Sequence, residues 1–273
     1  MYSYTWPCRG WLFPKKVVKH FGDALAYPSD TAKSNADAFG PLIIANQVLP
    51  PHFEALWQHT YPRICADGGA NRVYDRIKES HLNPADYVPT HCIGDLDSVR
   101  QDTKDFYLRH RTKFIYIPCQ DKTDIDKALD FLNSDDEGSG EPRSTKNSKD
   151  IVLTGVFGGN ISQELGNLHS CWGIVNKQIT LIGCNNLCLI LQRGLHKIHT
   201  PVGMKCGIIP LGSPVDFVKS SGLKWNLNNQ QLSFENFIST SNETVNSIVS
   251  IEVSSACIWS FDYGDITSSN VKQ

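Results

Sequence analysis

Three aspartates carry the strongest chemical signal in this chain. Asp95 and Asp97 stand two apart in Gly94-Asp95-Leu96-Asp97-Ser98, directly after an apolar run at 91–93. Asp124 opens a helical pattern after Gln120-Asp121-Lys122-Thr123. Two apart at a strand end, Asp95 and Asp97 can face one point where the backbone turns. Carboxylates that converge in one crevice repel unless a cation neutralises them. Oxygen ligands without His or Cys favour Mg2+, which keeps several waters and bridges to substrate phosphates. Any one of these aspartates serves equally well as a turn or helix cap; the set on one edge points to a metal.

Glycine pairs give the second signal. Gly68-Gly69 and Gly158-Gly159 each follow a strand pattern and precede a helical one. There, bare backbone amides and a helix N-terminus can cradle phosphate. Neither loop matches a Walker A or a Gly-x-Gly-x-x-Gly fingerprint, and glycine in such a turn often only supplies an unusual backbone angle. Other chemistries fail. His196 and His199 are three apart in a β segment and so point to opposite faces. No Ser, His and Asp set sits in a nucleophile-elbow context.

The elements that must position these residues can be read from periodicity. Short apolar runs at 42–45, 64–66, 91–93, 114–117, 151–153 and 179–182 are bounded by Gly, Pro, Asp or Asn, as buried strands are. Helical patterns at 53–59, 71–78 and 103–110 lie between them, with two clearer ones further on. Thr123 is a good N-cap ahead of Ile125, Ala128, Leu129 and Leu132, and Ile161, Leu165, Leu168, Trp172 and Val175 form one apolar stripe that reads as core. Strand alternating with helix predicts a Rossmann-like parallel sheet with helices on both faces. In such a sheet ligands bind beyond the carboxyl ends of the strands. That edge collects Asn46 and Gln47, then Asp67 with Gly68 and Gly69, then 94–98 with Ser98, then 120–124, then 155–160.

After about residue 184 the helical period disappears. Runs at 187–191, 196–199, 207–211, 215–218, 223–227, 232–234, 248–253 and 257–261 read as short strands separated by turns, which predicts a β-sandwich or barrel. The expected organisation is a leader at 1–40, an α/β domain at 41–183 with a solvated insertion at 135–149, and a β-sandwich domain at 184–273. At about 150 residues per domain, a 273-residue chain has room for one large or two small domains. Residues 1–22 hold Arg9, Lys15, Lys16 and Lys19 and no acidic residue, but Pro7 and Pro14 break any amphipathic helix, so the segment reads as a poorly ordered leader. A net charge of −2 gives no general reason to bind nucleic acid or an anionic membrane. No apolar run reaches the ~18 residues of a membrane span. The 9 cysteines are odd in number and form no Cys-x-x-Cys pair, which fits buried thiols in a reducing, cytoplasmic compartment.

Taken together, ANQ at 45–47, ADGGANRVYD at 66–75, GDLDS at 94–98, QDKTD at 120–124, SGLKWNL at 221–227 and STSN at 239–242 resemble thiamine pyrophosphokinases. The resemblance implies an α/β domain followed by a β-sandwich, and a homodimer with each active site built across the subunit interface. It implies transfer of a pyrophosphoryl group from ATP to the hydroxyl of thiamine, giving thiamine diphosphate and AMP. By position, Asp95, Asp97 and Asp124 would hold Mg2+ on the ATP phosphates, with Asp67, Gly68 and Gly69 lining the same crevice. Gln120 and Asp124 would meet thiamine, and Trp225 would stack on its ring from the partner subunit, with Ser241 and Asn242 nearby. A cationic thiazolium suits a carboxylate and an aromatic face. One segment departs from the family pattern. Where the family carries Gly-Arg-x-Asp, this chain reads Gly159-Asn160-Ile161-Ser162, so both charges are missing. Arg72, Arg100 and Lys122 are the cations that could compensate. Two alternatives stay open at this point: a thiamine- or nucleotide-binding homologue with impaired catalysis, and a phosphatase using Asp95 and Asp97 as nucleophile and acid.

Overall fold

A computed structural model describes residues 40–134, 150–174 and 177–263. The expected leader, apart from Gly40, and the expected insertion at 135–149 lie outside the described residues. The chain divides into two compact units between Cys184 and Asn185.

The first unit alternates strand and helix. Its strands are β1 (Leu42–Ile44), β2 (Arg63–Ala66), β3 (His91–Gly94), β4 (Lys113–Tyr116), β5 (Asp150–Thr154) and β6 (Gln178–Ile182). All pair in parallel, in the order β6-β5-β1-β2-β3-β4. The helices are α1 (Phe53–Gln58), α2 (Gly69–Glu79), α3 (Gln101–Arg109), α4 (Asp124–Asn133) and α5 (Ile161–Trp172). Side chains alternate across the sheet, so one strand feeds both faces. Leu42, Ile44, Cys65 and Cys92 join Phe53 and Trp57 of α1, Val73 and Ile77 of α2, and Tyr107 of α3 in one buried cluster. The opposite face carries Ile43, Ile64 and His91, and the His91 ring lies 4.8 Å from that of Phe131 on α4. Helices therefore cover both faces.

The second unit is all β. Strands β7 (Asn186–Leu191), β9 (Lys205–Ile209), β12 (Ser239–Glu243) and β14 (Cys257–Asp262) form one antiparallel set, in the order β12-β9-β14-β7. Strands β8 (Gly194–His199), β10 (Val215–Ser221), β11 (Gln230–Leu232) and β13 (Ile248–Val253) form a second, in the order β11-β10-β13-β8. Antiparallel sheets with one packed face explain the alternating burial of β13, in which Val249, Ile251 and Val253 are buried.

Three expectations are corrected. The run at 223–227 is a bend with one β-bridge, from Leu223 to Thr244, because Gly222 and Asn226 turn the chain there. The polar segment Ser239–Glu243 is a strand, paired with β9, although it lacks an apolar alternation. The stripe on α5 is not core: Ile161 and Leu165 are exposed, and of this helix only Cys171 is buried.

The N-terminus of α4 is tied down as the sequence requires. Thr123 Oγ1 accepts from the Asp126 amide at 3.1 Å, and Asp126 accepts from the Thr123 amide at 2.9 Å, a reciprocal capping box. Thr123 also meets Ser170 of α5 at 2.7 Å. Replacing Thr123 with Ala should lower unfolding free energy by about 1 to 2 kcal/mol. Urea denaturation followed by circular dichroism measures it, and an unchanged midpoint would mean that the cap contributes nothing.

Candidate functional site

Asp67 follows β2, Asp95 follows β3 and Asp124 begins α4, so all three stand at the carboxyl edge of the sheet. One carboxylate oxygen from each lies within 4.8 Å of the others. Backbone chemistry brings them there. Asp67 adopts a left-handed φ of 42°, which turns the chain sharply between β2 and α2. Leu96, at φ 58°, makes the second turn, and its side chain is anchored against the apolar cluster. Gly94 has to lack a side chain, since a Cβ there would stand 2.9 Å from both Asp124 Oδ1 and the Asp67 Cβ. Gly69 is needed for a different reason. A Cβ at its position would run into the Ile44 carbonyl, so glycine lets α2 approach β1.

Two of the three carboxylates expected at a metal are present in the trio, and Asp67 takes the place of the third. Asp97 adjoins the trio: its Oδ1 accepts from the Ser98 hydroxyl at 2.9 Å, its charge acts on Asp67 and its amide donates to Asp95. The Ser98 amide in turn donates to Asp67 Oδ2 at 3.2 Å. Asn71 fixes this loop from α2, donating to the Ser98 carbonyl and accepting from the Arg100 amide. Gln120 donates to Asp95 Oδ2 at 3.1 Å.

Lys127, which the sequence reading passed over, joins the site. Its side chain is 2% exposed, and its Nζ lies 3.0 Å from Asp124 Oδ1 and 3.5 Å from Asp95 Oδ2. The available signal was its place three residues after Asp124 on one helix, but that spacing is common in surface pairs. Charge here is unevenly balanced. Burial pushes the Asp67 carboxyl above the ordinary value; the Ser98 hydrogen bond opposes this and the charge of Asp124 adds to it. Burial also pushes on Asp95, but Gln120, Lys127 and the Asp97 amide outweigh it and hold that carboxyl low. Burial pulls Lys127 down, yet Asp124 and Asp95 hold its ammonium above the ordinary lysine value. Asp67 Oδ1 is buried without a hydrogen-bond partner. A buried, unpartnered carboxylate oxygen on a residue that stands beside two further carboxylates fits a hard cation such as Mg2+.

The sheet order reverses between β1 and β5, the crevice where open α/β sheets take ligands. Asn46 and Gln47 follow β1 there, and Gly158 and Gly159 follow β5. Asn46 packs against Gly68 and accepts from Arg72 Nε at 3.0 Å, while Gln47 donates to Gln163 at 2.6 Å. The Gly158 amide already donates to Glu164 at 2.8 Å, so it is committed to α5. Asn160 caps that helix, accepting from the Ser162 amide at 2.8 Å. The three cations that might replace a missing arginine are not equivalent. Arg100 is held by both oxygens of Asp75, and Lys122 by Asp130, whereas Arg72 bonds, among the described residues, only the neutral Asn46.

In the β unit, Asn242 is buried and clamps the main chain of Trp225. Its Oδ1 accepts from the Trp225 amide at 3.2 Å, and its Nδ2 donates to the Trp225 carbonyl at 2.7 Å. The Trp225 ring is 56% exposed, with Lys224 Nζ 4.9 Å from its centre. Ser241, also on β12, is exposed.

Comparison with known proteins agrees with this arrangement. The family model described as "Thiamin pyrophosphokinase, catalytic domain" matches residues 53–182, and "Thiamin pyrophosphokinase, vitamin B1 binding domain" matches 195–258. Thiamine pyrophosphokinase 2 of Arabidopsis thaliana is 36% identical over 233 residues, spanning 80% of this chain and 84% of that one. Thiamine pyrophosphokinase 1 of Oryza sativa subsp. japonica is 33% identical over 264 residues, spanning 90% and 97%. Among solved structures, thiamin pyrophosphokinase from Candida albicans shares the fold with a TM-score of 0.72 at 22% identity, covering 83% of this chain and 89% of that one.

Without a cation, burial first and the charges of Asp124 and Asp97 next work against the Asp67 carboxylate. Its folded-state carboxyl lies above its unfolded value of 3.8, so folding stability falls as pH rises through and beyond that value. At neutral pH in chelator, Asp67→Asn should raise the melting temperature by about 2 to 4 °C, and the gain should vanish near pH ~4. Adding Mg2+ should raise the wild-type melting temperature more than that of the variant. Calorimetry in both buffers decides; a destabilised variant in chelator would contradict the repulsion.

Proposed function

The chain belongs to the thiamine pyrophosphokinase family, and we propose that it transfers the pyrophosphoryl group of ATP to the hydroxyl of thiamine, giving thiamine diphosphate and AMP. The hydroxyl oxygen bonds to the β-phosphorus while the bond from that phosphorus to the AMP oxygen breaks. The observation that carries this reading is the convergence of Asp67, Asp95 and Asp124 at the strand ends. Asp67, Asp95 and Asp124 would hold Mg2+ there, and the ion would supply positive charge for the transferring phosphoryl group. The residues themselves position it: Asp67 supplies an unpartnered oxygen, and Gln120 and Lys127 orient Asp95. On this reading the α/β domain at 41–183 binds ATP and Mg2+, and the β-sandwich domain at 184–273 presents Trp225, Ser241 and Asn242 to thiamine. Gln120 and Asp124 are the groups that meet thiamine from the α/β side.

The working unit of the proposal is a homodimer with Trp225 coming from the partner subunit. The uncovered apolar stripe of α5 supports a second copy, since Ile161 is 64% exposed in one chain. A cytoplasmic location belongs to the same proposal; the eight described cysteines are free thiols. No described helix is long and apolar enough to cross a membrane. No nucleic acid or membrane partner is part of the proposal. The phosphatase alternative leaves the match of residues 195–258 to a vitamin B1 binding domain unexplained.

The direct test is AMP release with thiamine, ATP and Mg2+. Asp95→Asn should lower turnover by at least about a hundredfold with the circular dichroism spectrum unchanged. Wild-type protein that binds thiamine but forms no thiamine diphosphate would favour the binding-only alternative. Arg72 is the uncommitted cation beside the Gly68 turn, so it is the residue to carry the phosphate contact that Asn160 does not make. Arg72→Ala should raise the ATP KM about ten- to a hundredfold and leave the thiamine KM nearly unchanged. Equal effects on both substrates would remove that role.

A further inference from the structure

We propose that Lys127 is the built-in counter-ion of the carboxylate cluster, a positioning residue that holds Asp95 and Asp124 in place before the cation arrives and loosens their grip on a bare divalent cation. The proposal rests on reading Asp67, Asp95 and Asp124 as the cation site. A lysine ammonium that is 2% exposed cannot stay charged without anionic partners, and Lys127 has two, at 3.0 Å and 3.5 Å. Both partners belong to the trio. The helix fixes one of them, since Asp124 and Lys127 are three residues apart on α4. Asp95 comes from the end of β3, so the ammonium ties helix to strand across the site.

Charge counting explains the second half of the role. Within the trio and Lys127, three carboxylates and one ammonium leave two negative charges, and the nearby charge of Asp97 adds to them, an excess that suits a divalent cation. The ammonium occupies Asp124 Oδ1 and Asp95 Oδ2 and does not satisfy Asp67 Oδ1, which stays without a partner. The bare site is therefore held together but underfilled. A cation held by Asp95 and Asp124 would compete with the Lys127 ammonium for both carboxylates, so the bare site would hold it loosely. A packing role alone would make no distinction between Lys127 and an uncharged side chain of the same length.

Lys127→Met keeps the buried stem and removes the charge. Mn2+ is the probe, titrated into the full-length protein without nucleotide and followed by the electron paramagnetic resonance signal of free Mn2+. The Mn2+ Kd of Lys127→Met should fall at least about tenfold below wild type, because a positive charge beside two ligands is gone. Its melting temperature in chelator should fall as well, and saturating Mn2+ should restore it. Lys127→Arg, which keeps the charge, should stay within about threefold of wild type. An unchanged or weaker Mn2+ affinity in Lys127→Met overturns the proposal. Asp124→Asn separates the two levels of inference. If it binds Mn2+ as wild type does, the cation site itself is wrong, and the role of Lys127 falls with it. If Asp124→Asn loses Mn2+ while Lys127→Met is unaffected, only the counter-ion role is wrong. Should Lys127→Met fail to fold, the double variant Lys127→Met with Asp95→Asn removes one anion with the cation and should fold. A double variant that also fails to fold would mark Lys127 as a packing residue and end the proposal.

Discussion

Like charges crowded at the end of a parallel sheet are the constraint on which the rest of the α/β unit depends. Three carboxylates with oxygens within 4.8 Å of one another would spread apart in a soft loop. Each is instead anchored to a rigid element. Asp67 sits between β2 and α2 in a left-handed turn, Asp95 extends β3, and Asp124 opens a capped helix. Gly94 keeps the centre free of side chains. The buried cluster beneath, from Ile44 to Tyr107, holds the strand ends against this repulsion. The apolar core and the polar edge are therefore one design, since the same strands that bury Cys65 and Cys92 carry Asp67 and Asp95 at their tips.

Much of this was legible in the sequence because short apolar runs and helix periods are local signals. The six parallel strands, the Thr123 cap and the carboxyl-edge location of the acidic segments all follow from spacing. What was hidden depends on long-range geometry. Lys127 looks like half of an ordinary helix-surface pair until α4 packs on β2 and β3 and closes over its side chain. That Asp67 stands closest to Asp95 and Asp124 follows from the left-handed turns at Asp67 and Leu96, and no periodicity records a backbone angle. The stripe on α5 has a sound helical period, but period reports that a face is apolar and not what covers it. Strand β12 was invisible to hydropathy, since Ser239 and Asn242 are buried through backbone pairing and an amide clamp.

The loop after β5 shows how one position can exchange a ligand role for a structural one. Asn160 caps α5, Glu164 accepts from the Gly158 amide, and Asn167 donates to the Val156 carbonyl. These three bonds make the turn self-supporting without any bound anion. An arginine at 160 would offer the phosphate a fork of donors but no acceptor for the helix amide. The chain keeps the shape of the loop by local means.

The clamp on Trp225 has a different kind of consequence. Asn242 reads only the amide and carbonyl of residue 225 and never its indole. The main-chain pose at this position is thus indifferent to which side chain it carries. A population of sequences can exchange the aromatic surface offered there, one ring for another, while the scaffold beneath stays the same. A change of side chain at 225 leaves both clamp bonds available, because the residue that shapes the pose and the residue that is posed are separate letters of the chain.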